Sequence, residues 1–175
     1  MIKSTIAAVF IIWYITLDTA VAQDLSMSQK RWIGIYSKKH LGALPQWSKV
    51  MGAMAKVESD NGRDRIGKYK SGKMSNCYGL LQLKPSTARD IMSKLKMAVY
   101  YTDEQLIDKL KNDDRFNIQL ASAYIGFLWE LFNDLDLTVI SYNIGQGKTL
   151  ILLREGKQLP VEYLHKVKIE MERIR

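Results

Sequence analysis

Residues 50–60 read V-M-G-A-M-A-K-V-E-S-D, and the periodicity of this stretch decides the fold. Trp47, Val50, Met51, Met54 and Val57 recur at three- and four-residue spacing, which predicts one helix over 46–58 with an apolar stripe. That helix delivers a single carboxylate, Glu58, with the hydroxyl of Ser59 beside it. The next informative stretch, residues 75–88, reads S-N-C-Y-G-L-L-Q-L-K-P-S-T-A. It sets a small residue, Gly79, and an amide, Gln82, between apolar neighbours.

The same helical spacing extends outward in both directions, and two-residue alternation is scarce. Upstream, Trp32, Ile35 and Tyr36 predict an apolar face on a helix over 27–40, followed by a turn at 41–45. Downstream, Pro85 suits a first helical position, opening a helix to about Leu95. Thr102 and Gln105 have capping-box spacing ahead of a short helix to Lys111. Asn112 is expected to cap the longest helix, to about Phe132, with Phe116, Leu120, Tyr124, Phe127, Leu128 and Leu131 inward. Asp136 is expected to start a helix ending at Tyr142-Asn143, broken by Gly145 and Gly147, with another turn or two over 149–154. Pro160 is expected to open the last helix, with Val161, Leu164, Val167, Met171 and Ile174 on one side. Between the two informative stretches, residues 59–75 hold Gly62, Gly67 and Gly72 among Arg63, Arg65, Lys68, Lys70 and Lys73. Such a polar, glycine-punctuated segment is a loop or a small irregular hairpin. The expected fold class is an all-α globule with at most that hairpin.

The N-terminus differs from the rest. Lys3 precedes an apolar run from Ile6 to Leu17, and Ala20-Val21-Ala22 closes it. A charged start, a short apolar core and an A-x-A ending predict a signal peptide over 1–22, leaving one domain over 23–175. The run is shorter than the ~20 residues that span a bilayer. An uncleaved anchor is the alternative. The expected location is periplasmic or extracellular. The chain carries a formal charge of +8, which suits an acidic polymer; export argues against nucleic acid. One cysteine, Cys77, excludes an internal disulfide.

Several chemistries fail on spacing. Gly147-Lys148-Thr149 resembles the end of a phosphate-binding loop, but its first glycine position is Tyr142. No paired Cys/His spacing suits a metal, so no metal and no cofactor is expected. Cys77 with His40 or His165 as a nucleophile pair is disfavoured by its apolar flanks. Glu58 survives. A carboxylate in a helix's last turn lies near the negative end of the dipole, and apolar surroundings add desolvation. Both raise its pKa towards that of a general acid. An exposed terminal glutamate is the plain alternative.

Four ordered motifs carry a resemblance: Glu58-Ser59, Gly79-Leu80-Leu81-Gln82, Tyr142-Asn143-Ile144-Gly145 and Tyr163 to Val167. Together they resemble the lytic transglycosylases, whose soluble-type catalytic domain has a goose-lysozyme-like helical fold. The run from Ser75 through Gly79, Gln82, Lys84, Ser86 and Thr87 is most similar to the small endolytic membrane-bound type. Asn117, Ala121, Tyr124 and Gly126 resemble the family's intervening helix. The resemblance implies cleavage of the β-1,4 bond between N-acetylmuramic acid and N-acetylglucosamine in peptidoglycan, with a 1,6-anhydro product. It implies Glu58 as the lone acid and base, Tyr163 near it, and Ser75 positioning the acetamide. Ser59, Gln82, Tyr142 and Asn143 would line the sugar groove, with Gly79 letting backbone approach the saccharide. The chain departs from the family at Leu81, where methionine is common, at Ser141, where alanine is common, and in its longer, basic 59–75 segment. The lipid-attachment cysteine of membrane-bound members is missing.

Two rivals stay open. One is a hydrolytic muramidase using Asp60, Asp64 or Asp90 to position water; the other is a wall-binding or assembly protein without turnover. Peptidoglycan strands are the expected partner of a monomer, with a secretion or conjugation apparatus as a candidate. If the basic segment contacts muramyl or peptide carboxylates, binding to sacculi weakens with salt. Neutralising Lys68, Lys70 and Lys73 then flattens that salt response, measured by co-sedimentation.

Overall fold

The computed structural model describes residues 24–42, 45–68 and 74–174. The expected signal peptide, and Lys70 and Lys73 of the basic segment, lie outside the described residues. Among those residues there are eight helices and one two-stranded antiparallel hairpin, as the helical periodicity predicts. The helices are α1 (Met27–Leu41), α2 (Pro45–Ser59), α3 (Pro85–Lys94), α4 (Asp103–Asn112), α5 (Asp114–Phe132), α6 (Leu135–Ile144), α7 (Gln146–Arg154) and α8 (Glu162–Arg173). The hairpin joins β1 (Ile66–Lys68) to β2 (Met74–Tyr78), with Ile66 opposite Tyr78, Lys68 opposite Met74 and an irregularity between.

Helix α5 is the spine. Ten of its residues are buried, and α1, α3, α4 and α6 pack around it. Helix α2 lies against α1 and α8, and Trp47 meets Trp129 of α5 edge-on at 5.1 Å. The core is continuous from Ile33 through Met51, Met54 and Leu120 to Val167.

Boundaries follow capping chemistry. Both capping boxes form, Ser26 with Gln29 and Thr102 with Gln105. The longest helix is capped by Asp113 rather than Asn112: the Asp113 carboxylate accepts from Phe116 N–H, and Asn112 is the last residue of α4. Asp134, not Asp136, caps α6 by accepting from Leu137 N–H. Gly145 ends α6, but Gly147 lies within α7, which begins earlier than expected. Pro45 begins α2, while Pro160 stands two residues ahead of α8. On α1, Ile33 takes the inward place while Ile35 is 43% exposed; Leu131 of α5 also faces outward.

Helix α2 stops immediately after Glu58-Ser59. Asp60 and Asn61 adopt left-handed backbone; Asp60 N–H bonds Lys56 C=O, and Asn61 N–H reaches back six residues to Ala55 C=O. Short polar side chains tolerate that conformation. The segment that follows is docked by Arg65, which donates to both Asp114 oxygens and to Lys111 C=O.

Asn117, fully buried on α5, holds the next turn. Its Oδ1 accepts from Leu81 N–H at 2.8 Å, and its amide donates to the carbonyls of Tyr78 and Leu110. Asn117→Ala removes the side-chain partner of Leu81 N–H and Leu110 C=O, at about 1–3 kcal/mol each before relaxation, while Tyr78 C=O keeps Leu83 N–H. A stability loss of at least ~2 kcal/mol is expected, read from the urea midpoint.

Candidate active site

Glu58 extends the most buried face of α2. Positions 47, 51, 54 and 58 fall on one side at 100° per residue, and Trp47, Met51 and Met54 have no exposed surface. The stripe that packs the core therefore ends in a carboxylate, which keeps only a partly exposed edge. Burial raises the Glu58 carboxyl from 4.5 to about 7, and a hydrogen bond from Tyr163 opposes that rise. Tyr163 Oη donates to Glu58 Oε1 at 2.6 Å from the first turn of α8. The Tyr163 hydroxyl is itself held well above its ordinary range by burial and by the adjacent carboxylate, so it remains a donor.

The 78–82 turn faces this pair and is pinned throughout. Tyr142 Oη of α6 donates to Leu81 C=O at 2.6 Å, and Ser59 Oγ donates to Leu80 C=O at 2.7 Å. Gly79 N–H donates to Arg65 C=O. Gln82 sits in left-handed backbone with its amide on the carbonyls of Gly79 and Asp64. Its buried Oε1 has no hydrogen-bond partner among the described residues. The hairpin closes over that atom. A Cβ on Gly67 would lie 2.5 Å from Gln82 Oε1 and 2.0 Å from Ser75 Oγ. Cys77 of β2 lies in the same cluster, its thiol bonded to Ser75 and within the field of Glu58; burial pushes it up, so it stays a thiol.

The structure thus brings Glu58, Tyr163, Tyr142, Gln82 and Ser75 together. Two of the other expected groove residues serve the fold. Ser59 is 1% exposed and fully bonded, so it shapes the α2 terminus instead of meeting a substrate. Gly79 turns its missing Cβ inward: an added carbon would sit 2.0 Å from Leu110 C=O. Asn143 is exposed at the end of α6. Sequence reasoning left Asn117, Cys77 and Tyr124 out of the site. A buried amide inside an otherwise apolar helix was the available signal for Asn117.

A cavity of about 670 Å³ lies elsewhere. Lys49, Gly52 and Lys56 line it, half a helical turn away from Glu58 around α2, so it does not serve this carboxylate. Among the described residues no cluster of His, Cys, Asp and Glu could hold a metal.

Residues 36–160 match the family described as the Transglycosylase SLT domain. Two solved structures share the fold: the 70 kDa soluble lytic transglycosylase of Escherichia coli, at TM-score 0.54, and a 70 kDa soluble lytic transglycosylase in complex with bulgecin A, at TM-score 0.56. Each is 20% identical and covers 81% of this chain, which in turn spans 21% of their length. No curated protein matches the chain.

The raised pKa of Glu58 makes stability depend on pH with a definite sign. Below pH 4.5 both states are protonated and nothing is lost. Between 4.5 and about 7 the unfolded chain ionises first, and stability falls until the folded carboxyl also ionises. Glu58→Gln removes this loss. The variant is expected to gain ~2–3 kcal/mol over the parent between pH 4 and pH 8, measured by denaturant unfolding at each pH.

Proposed function

Because the chain belongs to the transglycosylase SLT family, we propose that it is a lytic transglycosylase cleaving the β-1,4 bond between N-acetylmuramic acid and N-acetylglucosamine in peptidoglycan. The observation that carries this is the single carboxyl at Glu58, poised near neutrality and gripped by Tyr163.

A carboxyl with a pKa of about 7 carries its proton in much of the population at neutral pH, and so can act as a general acid. Protonated Glu58 gives its proton to the glycosidic oxygen as the bond to the muramyl anomeric carbon breaks. The substrate's acetamide shares the positive charge left there. The Glu58 carboxylate, steadied by the Tyr163 hydroxyl, then takes the proton of the muramyl 6-hydroxyl. That oxygen closes on the anomeric carbon, forming the 1,6-anhydro ring and returning Glu58 to its acid form.

Glycosidases that use water or a protein nucleophile need a second carboxylate opposite the first, at roughly 5–9.5 Å. Of the three acids that could serve here, Asp64 stands exposed beside the site, and the other two are engaged or apart. Asp60 pairs with Lys56 and Arg63. Asp90 borders a separate pocket beyond Tyr124. This disposition favours the internal hydroxyl over a positioned water. Export is part of the same proposal, since the substrate lies outside the cytoplasmic membrane.

Glu58→Gln is expected to lower lysis of purified sacculi at least 1,000-fold while leaving sacculus binding in place. Mass spectrometry of the wild-type digest should show muropeptides lighter than hydrolysed ones by one water. Exclusively reducing ends would reject the lyase mechanism, and unchanged lysis by the variant would remove Glu58 from it.

A further inference from the structure

No Asp or Glu occurs between Leu25 and Val57, a stretch that carries Lys30, Arg31, Lys38, Lys39, Lys49 and Lys56. Among the described residues only Lys56 of these has an ion pair, with Asp60. Folding then gathers cations from three helices around the cavity of about 670 Å³: Lys30 of α1, Lys49 and Lys56 of α2, and Arg173 of α8. Leu25, Ile33 and Ile174 give the same cavity an apolar lining. Two acids border it. Glu170 is engaged by Arg173 at 2.6 Å, and Asp24 is exposed. Lys30 and Lys49 are exposed, so the balance of charge at the cavity is positive.

The cavity also has a direction. Lys49 and Lys56 lie about 180° and 200° around α2 from Glu58, counted at 100° per residue. The cationic side of α2 therefore faces away from the carboxyl site. Asp24 and Leu25, at one edge of the cavity, follow closely on the apolar run over 6–17.

An anionic bilayer presents phosphate oxygens over hydrocarbon, which complements cations around an apolar hollow. We propose that the cavity between α1, α2 and α8 seats the protein on a bilayer of anionic phospholipid. Lys30 and Lys49 pair with lipid phosphates, and Leu25 and Ile174 meet the first carbons of the acyl chains. The chain preceding Asp24 starts from the same surface, and Glu58 is turned away from it. This inference goes beyond the peptidoglycan reading and does not depend on it.

Vesicle co-sedimentation tests it without turnover. Full-length protein is mixed with vesicles of phosphatidylcholine alone, and with vesicles of phosphatidylcholine and phosphatidylglycerol in equal parts. Partitioning is expected to favour the anionic vesicles about a hundredfold. Lys30→Gln with Lys49→Gln should reduce that preference about thirtyfold, equivalent to ~2 kcal/mol. Lys30→Arg with Lys49→Arg should restore it, and an unchanged circular dichroism melt confirms folding of both pairs. Lys148→Gln with Arg154→Gln, which removes two exposed cations of α7, should leave the preference within about threefold of the parent.

Equal partitioning onto the two vesicle types overturns the proposal. So does an equal loss from the α7 pair, since net charge alone would then explain the binding. A loss of sacculus binding with vesicle binding unchanged assigns the lysines to the wall and overturns it as well. Lysine-dependent binding of soluble glycerol phosphate without binding to vesicles makes the cavity a site for free phosphate, with the same consequence.

Discussion

A carboxyl group held at the end of an apolar stripe and tied to one hydroxyl is the constraint on which this molecule is organised. Burial favours the neutral form of Glu58, and the Tyr163 hydrogen bond favours the charged form. Their balance leaves the group near the middle of its titration at physiological pH. Either influence alone would hold the group in one protonation state. A fully buried acid would not give up its proton, and a solvated one would not hold it.

That balance requires three distant segments to meet. Helix α2 brings the carboxylate, α8 brings the hydroxyl more than a hundred residues later, and α5 sets the 78–82 turn opposite them. Because Asn117, Tyr142 and Ser59 each hold a backbone group of that turn, its position does not depend on its own conformational preferences. Gln82 is kept in left-handed backbone by the same clamps. Gln82 Oε1 is buried under the hairpin with no hydrogen-bond partner among the described residues, a cost that the clamps on the turn must offset.

Much of the architecture was legible from periodicity. Helix number and order, the Thr102 capping box and the glycine-rich excursion as a loop or hairpin follow from local rules that tertiary packing did not override. The misplacements are local too. Asn112 and Asp113 both cap well in isolation, and the carboxylate of Asp113 also pairs with Lys109, which favours the later boundary. Asp134 and Asp136 pose the same ambiguity. Ile33 and Ile35 lie on different faces of α1, and only the approach of α5 decides which is inward. Gly147 remains helical because Gly145 already supplies the break.

The candidate site divides along the same line. Sequence alone nominated Glu58, because a helix built from Trp47, Met51 and Met54 has no packing reason to end in an acid. It also placed Gln82, Tyr142 and Tyr163 in motifs that the fold brings close together. Only the tertiary structure decided that Ser59 and Gly79 face inward, that Tyr142 grips backbone while Tyr163 grips the acid, and that Lys30 and Lys49 border one cavity. Helical spacing determines which side of its own helix a residue occupies. What that side touches depends on neighbours contributed by remote parts of the chain, and hydrogen bonds of 2.6 Å and shifts in proton affinity are set by those neighbours.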